Sequence, residues 1–120
     1  MDEKPRDDLR ERTKAFALRI LRLYCALPRT TEAQVLGKQV LRSGSSVGAH
    51  YREARRGRST AEFVSKIEAG LQELEETMYW LELLADGGIV AAQRCADLHK
   101  EADQLMAILV SSVKTAKKRS

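Results

Sequence analysis

Residues 42–58, RSGSSVGAHYREARRGR, join a run of small side chains to a block of four arginines within seven residues. Small or apolar side chains recur there at helical spacing, and the same phase continues on both sides. This spacing predicts one long helix, with a break near Ser43–Ser46 as the alternative. Three glycines in this helix, Gly37, Gly44 and Gly48, each cost roughly 1 kcal/mol relative to alanine. Close packing of a second helix would offset that cost, and we expect such a neighbour.

The long helix is one of four helical segments that the apolar periodicity predicts. Pro28 ends the first segment, Gly57 follows the arginine block, and an Asp-Gly-Gly sequence ends the third segment. No segment alternates polar and apolar residues with the period of two that indicates a strand. We therefore expect an all-α fold, a single antiparallel up-down-up-down four-helix bundle over residues 1–120. The approximate helices are 7–26, 32–56, 60–86 and 89–115, followed by a basic tail at 114–120 that we expect to fray.

Two sequence patterns indicate where helices begin. Thr31 stands three residues before Gln34, and Ser59 stands three residues before Glu62. Each pair has the spacing of a capping box, in which the hydroxyl and the longer side chain bond to backbone N–H groups at the helix start. These pairs set the expected starts of the second and third helices.

Composition excludes several classes of protein. Hydrophobic residues make up 43% of the chain and charged residues 32%, which is typical of a folded globular protein. No apolar run approaches the roughly 18 residues of a membrane span, and the charged start of the sequence lacks the apolar core of a secretory signal. We therefore expect a cytoplasmic protein with no membrane partner. The two cysteines, Cys25 and Cys95, are too few and too far apart for a metal framework, and we expect both to be buried thiols.

Charge is strongly segregated along the chain. Residues 14–66 hold eleven basic and three acidic side chains, net +8, whereas residues 67–103 hold two basic and nine acidic ones, net −7. Residues 104–120 carry four basic side chains and no acidic one. Either these segments neutralise one another, within a bundle or between subunits, or a basic surface is exposed for a polyanion.

The arginine block and the basic tail are the candidate nucleic-acid-binding residues. Arginine suits bidentate phosphate contacts, although cations also stabilise the C-terminal end of a helix without any ligand. We expect the block and the tail near opposite ends of the bundle, so one continuous patch is not assured. The candidates are Arg52, Arg55, Arg56, Arg58, Lys114, Lys117, Lys118 and Arg119.

A second set of polar residues shares one face of the second helix. Its members are spaced three and four apart, and polar residues of the third helix, including Lys66 and Glu73, are within expected reach. A straight helix face offers neither a cleft nor free backbone donors for hydrolysis, so we predict a buried structural polar network and no catalytic residue. The candidate members are Arg42, Ser46, His50, Glu53 and Glu62.

The two histidines do not indicate a metal site. A di-iron bundle requires a glutamate three positions before each ligating histidine. Val47 and Ala96 occupy those positions before His50 and His99. We therefore predict no metal and no cofactor.

Two aromatic residues predict an interface between subunits. Tyr79 and Trp80 lie beside the inner face of the third helix, next to the acidic Glu75, Glu76 and Glu82. Large apolar side chains off the core face often mark an interface. An acidic third helix would dock on a basic first or second helix of the next subunit, which would also explain the charge segregation.

The run RSGSSVGAHYREARRGRSTAEFVSKIEAGLQELEETMYWLELL, residues 42–84, resembles the bacterial four-helix bundle protein family, first found encoded in intervening sequences of large-subunit ribosomal RNA genes. Its Ser-Val-Gly-Ala, Arg-Glu-Ala and Glu-Phe elements occur in the family's order, and the resemblance extends from Phe16 through Leu84. It implies an antiparallel four-helix bundle. One departure is His50, where the family usually has asparagine; neutral histidine also donates and accepts hydrogen bonds, but it adds sensitivity to pH.

The resemblance also implies assembly. Some relatives form homopentameric barrels, among them accessory variability proteins of diversity-generating retroelements, which work with nucleic acid and a reverse transcriptase. For most members no biochemical function is established. We therefore predict a non-enzymatic homo-oligomer, with a pentamer among the options, that binds RNA or DNA through arginine and lysine contacts to phosphates. The alternative is an oligomeric adaptor or scaffold that binds a protein partner without contacting nucleic acid.

Overall fold

The computed structural model describes residues 8–119, which form four α-helices. They are α1 (Asp8–Cys25), α2 (Thr31–Arg55), α3 (Thr60–Asp86) and α4 (Ala92–Arg119). Successive helices pack side by side, with the most extensive interface between α2 and α3, and a smaller contact between α1 and α4 closes the bundle. The all-α four-helix fold expected from the sequence is confirmed. Within the described residues, none of the helices has the length and hydropathy of a membrane span.

The second helix is capped one residue earlier than its sequence indicates. Thr30, not Thr31, is the N-cap, and its hydroxyl accepts a hydrogen bond from Ala33 N at 3.3 Å. Gln34 does not close a capping box, because its amide donates to Pro28 O at 3.0 Å instead. The capping interpretation of this helix start is therefore wrong by one residue, since two consecutive threonines offer equivalent hydroxyls.

The fourth helix begins three residues later than the sequence indicates. Gly88 adopts a left-handed φ of 73°, which turns the chain after α3. Ile89 N then bonds back to Leu84 O at 3.0 Å, so this residue still belongs to the turn rather than to a new helix. Regular α-helix resumes at Ala92.

The fourth helix also extends further than expected. It continues through Arg119, four residues beyond the predicted end at residue 115. Lysine, alanine and arginine are good helix formers, and Val113 anchors the last turns by burial. Asp7 and Ser120, the outer limits of the predicted first helix and basic tail, lie outside the described residues.

The first helix is the close neighbour that the glycines of α2 require. A Cβ added at Gly44 would lie 2.9 Å from Ile20 Cγ1, and one added at Gly48 would lie 3.1 Å from Thr13 Oγ1. These distances leave no room for larger side chains, and α2 runs unbroken through the glycines. The prediction of one long helix with a close neighbour is confirmed.

The core is apolar and draws on all four helices. Burial of these side chains supplies the main driving force for folding. Because these side chains fill most of the bundle centre, polar side chains lie mainly near the surface and at the bundle ends. Among the described residues, three polar side chains are buried: Thr13, Ser43 and Thr77. The largest fully buried side chains include Phe16, Ile20, Val40, Val47, Ile67, Leu74, Leu81, Leu105 and Leu109.

The arginine block and the basic tail lie at the same end of the bundle. Lys66, near the start of α3, lies 3.4 Å from Glu53, near the end of α2. Lys117, near the end of α4, lies 4.0 Å from Glu68, also in the first half of α3. The expectation of opposite ends is therefore wrong. Because directions alternate, α2 and α4 run parallel and finish together.

Candidate nucleic-acid interface

A groove of about 930 Å³ opens where α2 ends, α3 begins and α4 ends. It lies between the α2–α3 turn and the C-terminal half of α4. Three arginines line it, Arg55, Arg58 and Arg119, together with five hydroxyl side chains and the ring of Phe63. The fold thus joins part of the arginine block to the end of the tail in one concave surface.

Two of these arginines keep their charge unpaired within the described residues. The side chains of Arg58 and Arg119 are exposed, and neither forms an ion pair with a carboxylate in residues 8–119. Positive charge around a concave surface raises the local concentration of anions. The groove is therefore a cationic surface that is open to an anionic ligand.

The other candidate cations surround the groove rather than line it. Lys117 lines a neighbouring depression that also includes Glu68. Its ammonium group approaches that glutamate, so its charge is partly offset. The remaining candidates lie outside both surfaces; one is half-buried on α2 and the others are exposed: Arg52, Arg56, Lys114 and Lys118.

Sequence reasoning missed the apolar floor and the hydroxyls of the groove. Phe63 has the periodicity of a core residue, yet it is only half-buried, and its ring lines the groove together with Ile108. On α4, Ser111, Ser112 and Thr115 face the same space. The sequence signal that could have indicated these groove residues is the cluster of hydroxyl side chains at the start of the basic tail.

The start of α3 adjoins the groove, but two of its backbone donors already have partners. Glu62 N donates to Ser59 Oγ at 3.1 Å, and Arg58 N donates to the Glu62 carboxylate at 2.7 Å. The predicted hydroxyl cap is confirmed, with the glutamate reaching one residue further back than in a standard capping box. A carboxylate at the helix start disfavours a second anion there, so the attraction must come from the arginines.

Glu62 therefore does not belong to the polar row that the sequence predicts. That row lies along the α2–α3 interface, where Arg42 Nη1 donates to Glu73 Oε1 at 3.1 Å and Nη2 donates to Glu76. His50 Nε2 lies 3.9 Å from Glu73 Oε2. The hydrogen bond that Arg42 donates to Glu76, reinforced by the one to Glu73, raises the pKa of Arg42. Because the Arg42 side chain is 48% exposed, the row is a partly solvated bridge rather than a buried network.

The row continues to a carboxylate of α2, Glu53. Glu53 Oε1 lies 3.3 Å from His50 Nδ1 and 3.4 Å from Lys66 Nζ. The hydrogen bond with His50, followed by that with Lys66, lowers the pKa of the Glu53 carboxyl. These groups link α2 to α3 electrostatically, and none of them lines the groove.

The same row does not assemble a nucleophile with a base. Ser46 Oγ donates to Arg42 O at 2.7 Å within its own helix, and His50 pairs with carboxylates instead. Within residues 8–119, no three histidine, cysteine or acidic side chains converge on a point where a metal ion would bind. The chemistry that this arrangement offers is charge pairing.

The two cysteines lie in different surroundings. Cys25, at the end of α1, is exposed, whereas Cys95 is buried. Burial raises the pKa of the Cys95 thiol. The expectation of two buried thiols is therefore wrong for Cys25, because the last turn of α1 carries it to the outer face.

The aromatic pair of α3 lies partly at the surface. Tyr79 is 54% exposed, and its ring centroid lies 5.1 Å from that of the half-buried Trp80. Trp80 Nε1 is buried without a hydrogen-bond partner in the part of the chain that the structure describes. Leu18 and Leu21 of α1 are a second exposed apolar pair.

Comparison with known proteins identifies the family. The family model described as 23S rRNA-intervening sequence protein matches residues 8–111. The chain belongs to this family. A solved structure from Bacteroides thetaiotaomicron, described as a protein of unknown function from the S23 ribosomal protein family, is 35% identical and superimposes with a TM-score of 0.84. The similarity covers 88% of this chain and 98% of that one, and no curated protein matches the chain.

The family resemblance seen in the sequence is thus confirmed. The family match covers only some of the residues that line the groove. The match of the 23S rRNA intervening-sequence family spans Arg58 and Phe63 but ends at residue 111. Thr115 and Arg119, which also line the groove, lie beyond that match. One wall of the groove therefore belongs to the shared family region, and the other extends past it.

Proposed function

We propose that this member of the 23S rRNA intervening-sequence family is a non-enzymatic protein that binds the phosphate backbone of RNA or DNA at the basic end of its bundle. The observation that carries the proposal is the groove lined by Arg55, Arg58 and Arg119. Guanidinium groups bind phosphate oxygens through paired hydrogen bonds. Such contacts hold a nucleic acid in place without reading its base sequence.

Phosphate contacts predict a steep dependence of affinity on salt, because each one releases condensed counterions. The test is a titration of fluorescent structured RNA and duplex DNA from about 50 to about 200 mM salt. The variant Arg58→Glu/Arg119→Glu should bind about tenfold more weakly or worse, with a salt slope smaller by about two. Circular dichroism establishes that the variant remains folded.

A matched control reverses two charges at the other end of the bundle. Lys38 and Arg94 are exposed near the starts of α2 and α4, so Lys38→Glu/Arg94→Glu changes the net charge equally. Retained affinity in the control supports a site at the groove. Equal losses in both variants would assign the effect to net charge, and absence of binding at low salt would reject the function.

A second candidate function, an oligomeric scaffold, is favoured by the outer faces of α1 and α3. Leu18 and Leu21 are each 41% exposed on α1, whose outer face is basic through residues such as Arg22. Tyr79 is exposed on α3, between acidic residues such as Glu82. The two faces are therefore complementary in charge, and each has an apolar centre.

These faces suit contact between successive copies rather than within one. In the described residues α1 and α3 are not adjacent helices, because they occupy diagonal positions in the bundle. Docking α1 of one copy on α3 of the next is a head-to-tail contact, which closes into a ring where the rotation permits. The wild-type mass from sedimentation equilibrium should exceed that of a monomer at micromolar concentration. Tyr79→Glu should reduce the mass while Lys38→Glu should not, and a monomeric wild type would reject the scaffold.

A further inference from the structure

The groove has an apolar floor beneath its cationic rim. Phe63, Ala107, Ile108 and Ala116 line it alongside the arginines and hydroxyls. Phe63 also packs against the core, so only part of its side chain is accessible from the groove. A surface that bound only phosphates would need no such floor.

The shape and chemistry of the groove distinguish between forms of nucleic acid. A duplex presents phosphates outward while its bases are stacked inside, so it would contact the arginine rim and leave the floor unused. An unpaired nucleotide presents an apolar base face as well as a phosphate, and aromatic side chains stack on such faces without regard to sequence. The groove is open, and its volume of about 930 Å³ leaves room for an unpaired base together with its sugar and phosphate.

We infer that the groove binds single-stranded nucleic acid, with an unpaired base stacked on Phe63 and the flanking phosphates on Arg58 and Arg119. This inference rests on the proposed function and narrows its ligand to an unpaired strand. Charge complementarity supports the occupant, since both arginines lack ion pairs within the described residues. Hydroxyls of Ser59 and Thr60 supply further donors at the rim.

The hydroxyls of α4 can contact the sugar of a nucleic acid, but Ser112, whose one proton is already donated, cannot also donate to a phosphate oxygen. Ser112 Oγ donates to Ile108 O at 3.1 Å, which leaves its oxygen lone pairs facing a groove as acceptors. Ser111 is exposed beside it. Neither residue offers the paired donors and acceptors that read a particular base, so we expect little sequence preference.

The test compares three fluorescent ligands with the same number of phosphates: a single strand of about twelve nucleotides, the same strand with abasic positions, and a blunt duplex. The intact protein should bind the normal single strand about tenfold more tightly than either of the others. This comparison needs no variant, so it does not depend on whether a substitution folds. Equal affinity for the normal and abasic strands would overturn the inference while leaving phosphate binding intact.

The matched variants are Phe63→Leu, which keeps apolar volume but removes the ring, and Ile67→Val, which trims a fully buried residue one turn along α3. Phe63→Leu should lose about tenfold for the normal single strand and nothing for the abasic strand. Ile67→Val, as a control for altered core packing, should leave both affinities unchanged. If Phe63→Leu weakened both strands equally, base stacking would be rejected. If no ligand bound at low salt, the proposed function would fail together with the inference.

Discussion

Thr77 of α3 donates a hydrogen bond to Ser43 of α2, with 2.8 Å between two hydroxyl oxygens that are both fully buried. Ser43 in turn donates to Gln39 O at 2.9 Å. This contact lies inside the most extensive helix interface of the bundle. Thr77 Oγ1 also lies 2.8 Å from Glu73 O of its own helix. A polar pair at one place in an apolar interface favours one register of α2 against α3, because a shift would break the bond between the helices and leave each hydroxyl only the carbonyl of its own helix.

The hydroxyl pair should be detectable in a double-mutant cycle. We expect Thr77→Val and Ser43→Ala each to lower the free energy of unfolding by about 0.5–1.5 kcal/mol. The double variant should cost less than the sum, because either single substitution already removes the one hydrogen bond that the two hydroxyls share. Urea unfolding followed by circular dichroism measures all four proteins. Strict additivity would show that the two hydroxyls are not energetically coupled.

Two glycine substitutions should have opposite effects on stability. Gly44→Ala places a Cβ 2.9 Å from the fully buried Ile20, so we expect a net loss of about 1 kcal/mol despite the better helix propensity. Gly70→Ala meets its nearest atom, His50 Cβ, at 3.6 Å, which is ordinary contact. It should gain about 0.5–1 kcal/mol. Thermal unfolding of both variants checks the signs, and a stabilised Gly44→Ala would mean that α1 is free to move away from α2.

The Glu53 carboxylate should make the free energy of unfolding depend on pH. Its pKa is lowered by the hydrogen bond with His50 and then by Lys66. A lowered folded-state pKa contributes stability above the unfolded value of about 4.3, and that stability is lost as pH falls through the folded value. The Tm of the wild type should therefore fall more than that of Glu53→Gln between about pH 5 and about pH 3. Glu75→Gln, an exposed control, should follow the wild type; parallel curves for all three proteins would contradict the assignment.

The two thiols should differ in reactivity. Cys25 is exposed, whereas Cys95 is buried and burial raises its pKa, which lowers the thiolate fraction. Ellman's reagent at about pH 8 should therefore modify one thiol per chain rapidly and the second only on unfolding. Cys25→Ser should abolish the fast phase. Rapid modification of both thiols in the wild type would place Cys95 in a region that opens readily.

Much of the architecture was predictable because it depends on local spacing. Apolar periodicity and helix-breaking residues placed all four helices, and the cost of glycine in a helix predicted the close approach of a neighbour to Gly44 and Gly48. Local signals were less reliable where equivalent choices compete. Thr30 and Thr31 carry the same hydroxyl, so the N-cap of α2 was placed one residue late. A glycine such as Gly88 can adopt several backbone conformations, so the length of the turn before α4 was not predictable.

Only part of the candidate site could be predicted from the sequence. Arg58 and Arg119 were both candidates from charge alone, but their meeting at one groove was not foreseen. Phe63 has core periodicity, and nothing local shows that its side chain is only partly buried. In the polar row, helical spacing identified Arg42 and His50, whereas the role of Glu62 was decided by its hydrogen bond to Arg58 N.

By itself, the sequence determined the helices, their apolar faces and the segregation of charge, because each depends on residues close together along the chain. Only the tertiary structure decided that part of the arginine block and the end of the basic tail share one concave surface with Phe63. That outcome depends on the direction of α4 relative to α2 and on which of its faces meets the α2–α3 turn. Both are settled by packing between helices that are distant in sequence, and a periodic pattern shows which face is buried but not which neighbour buries it.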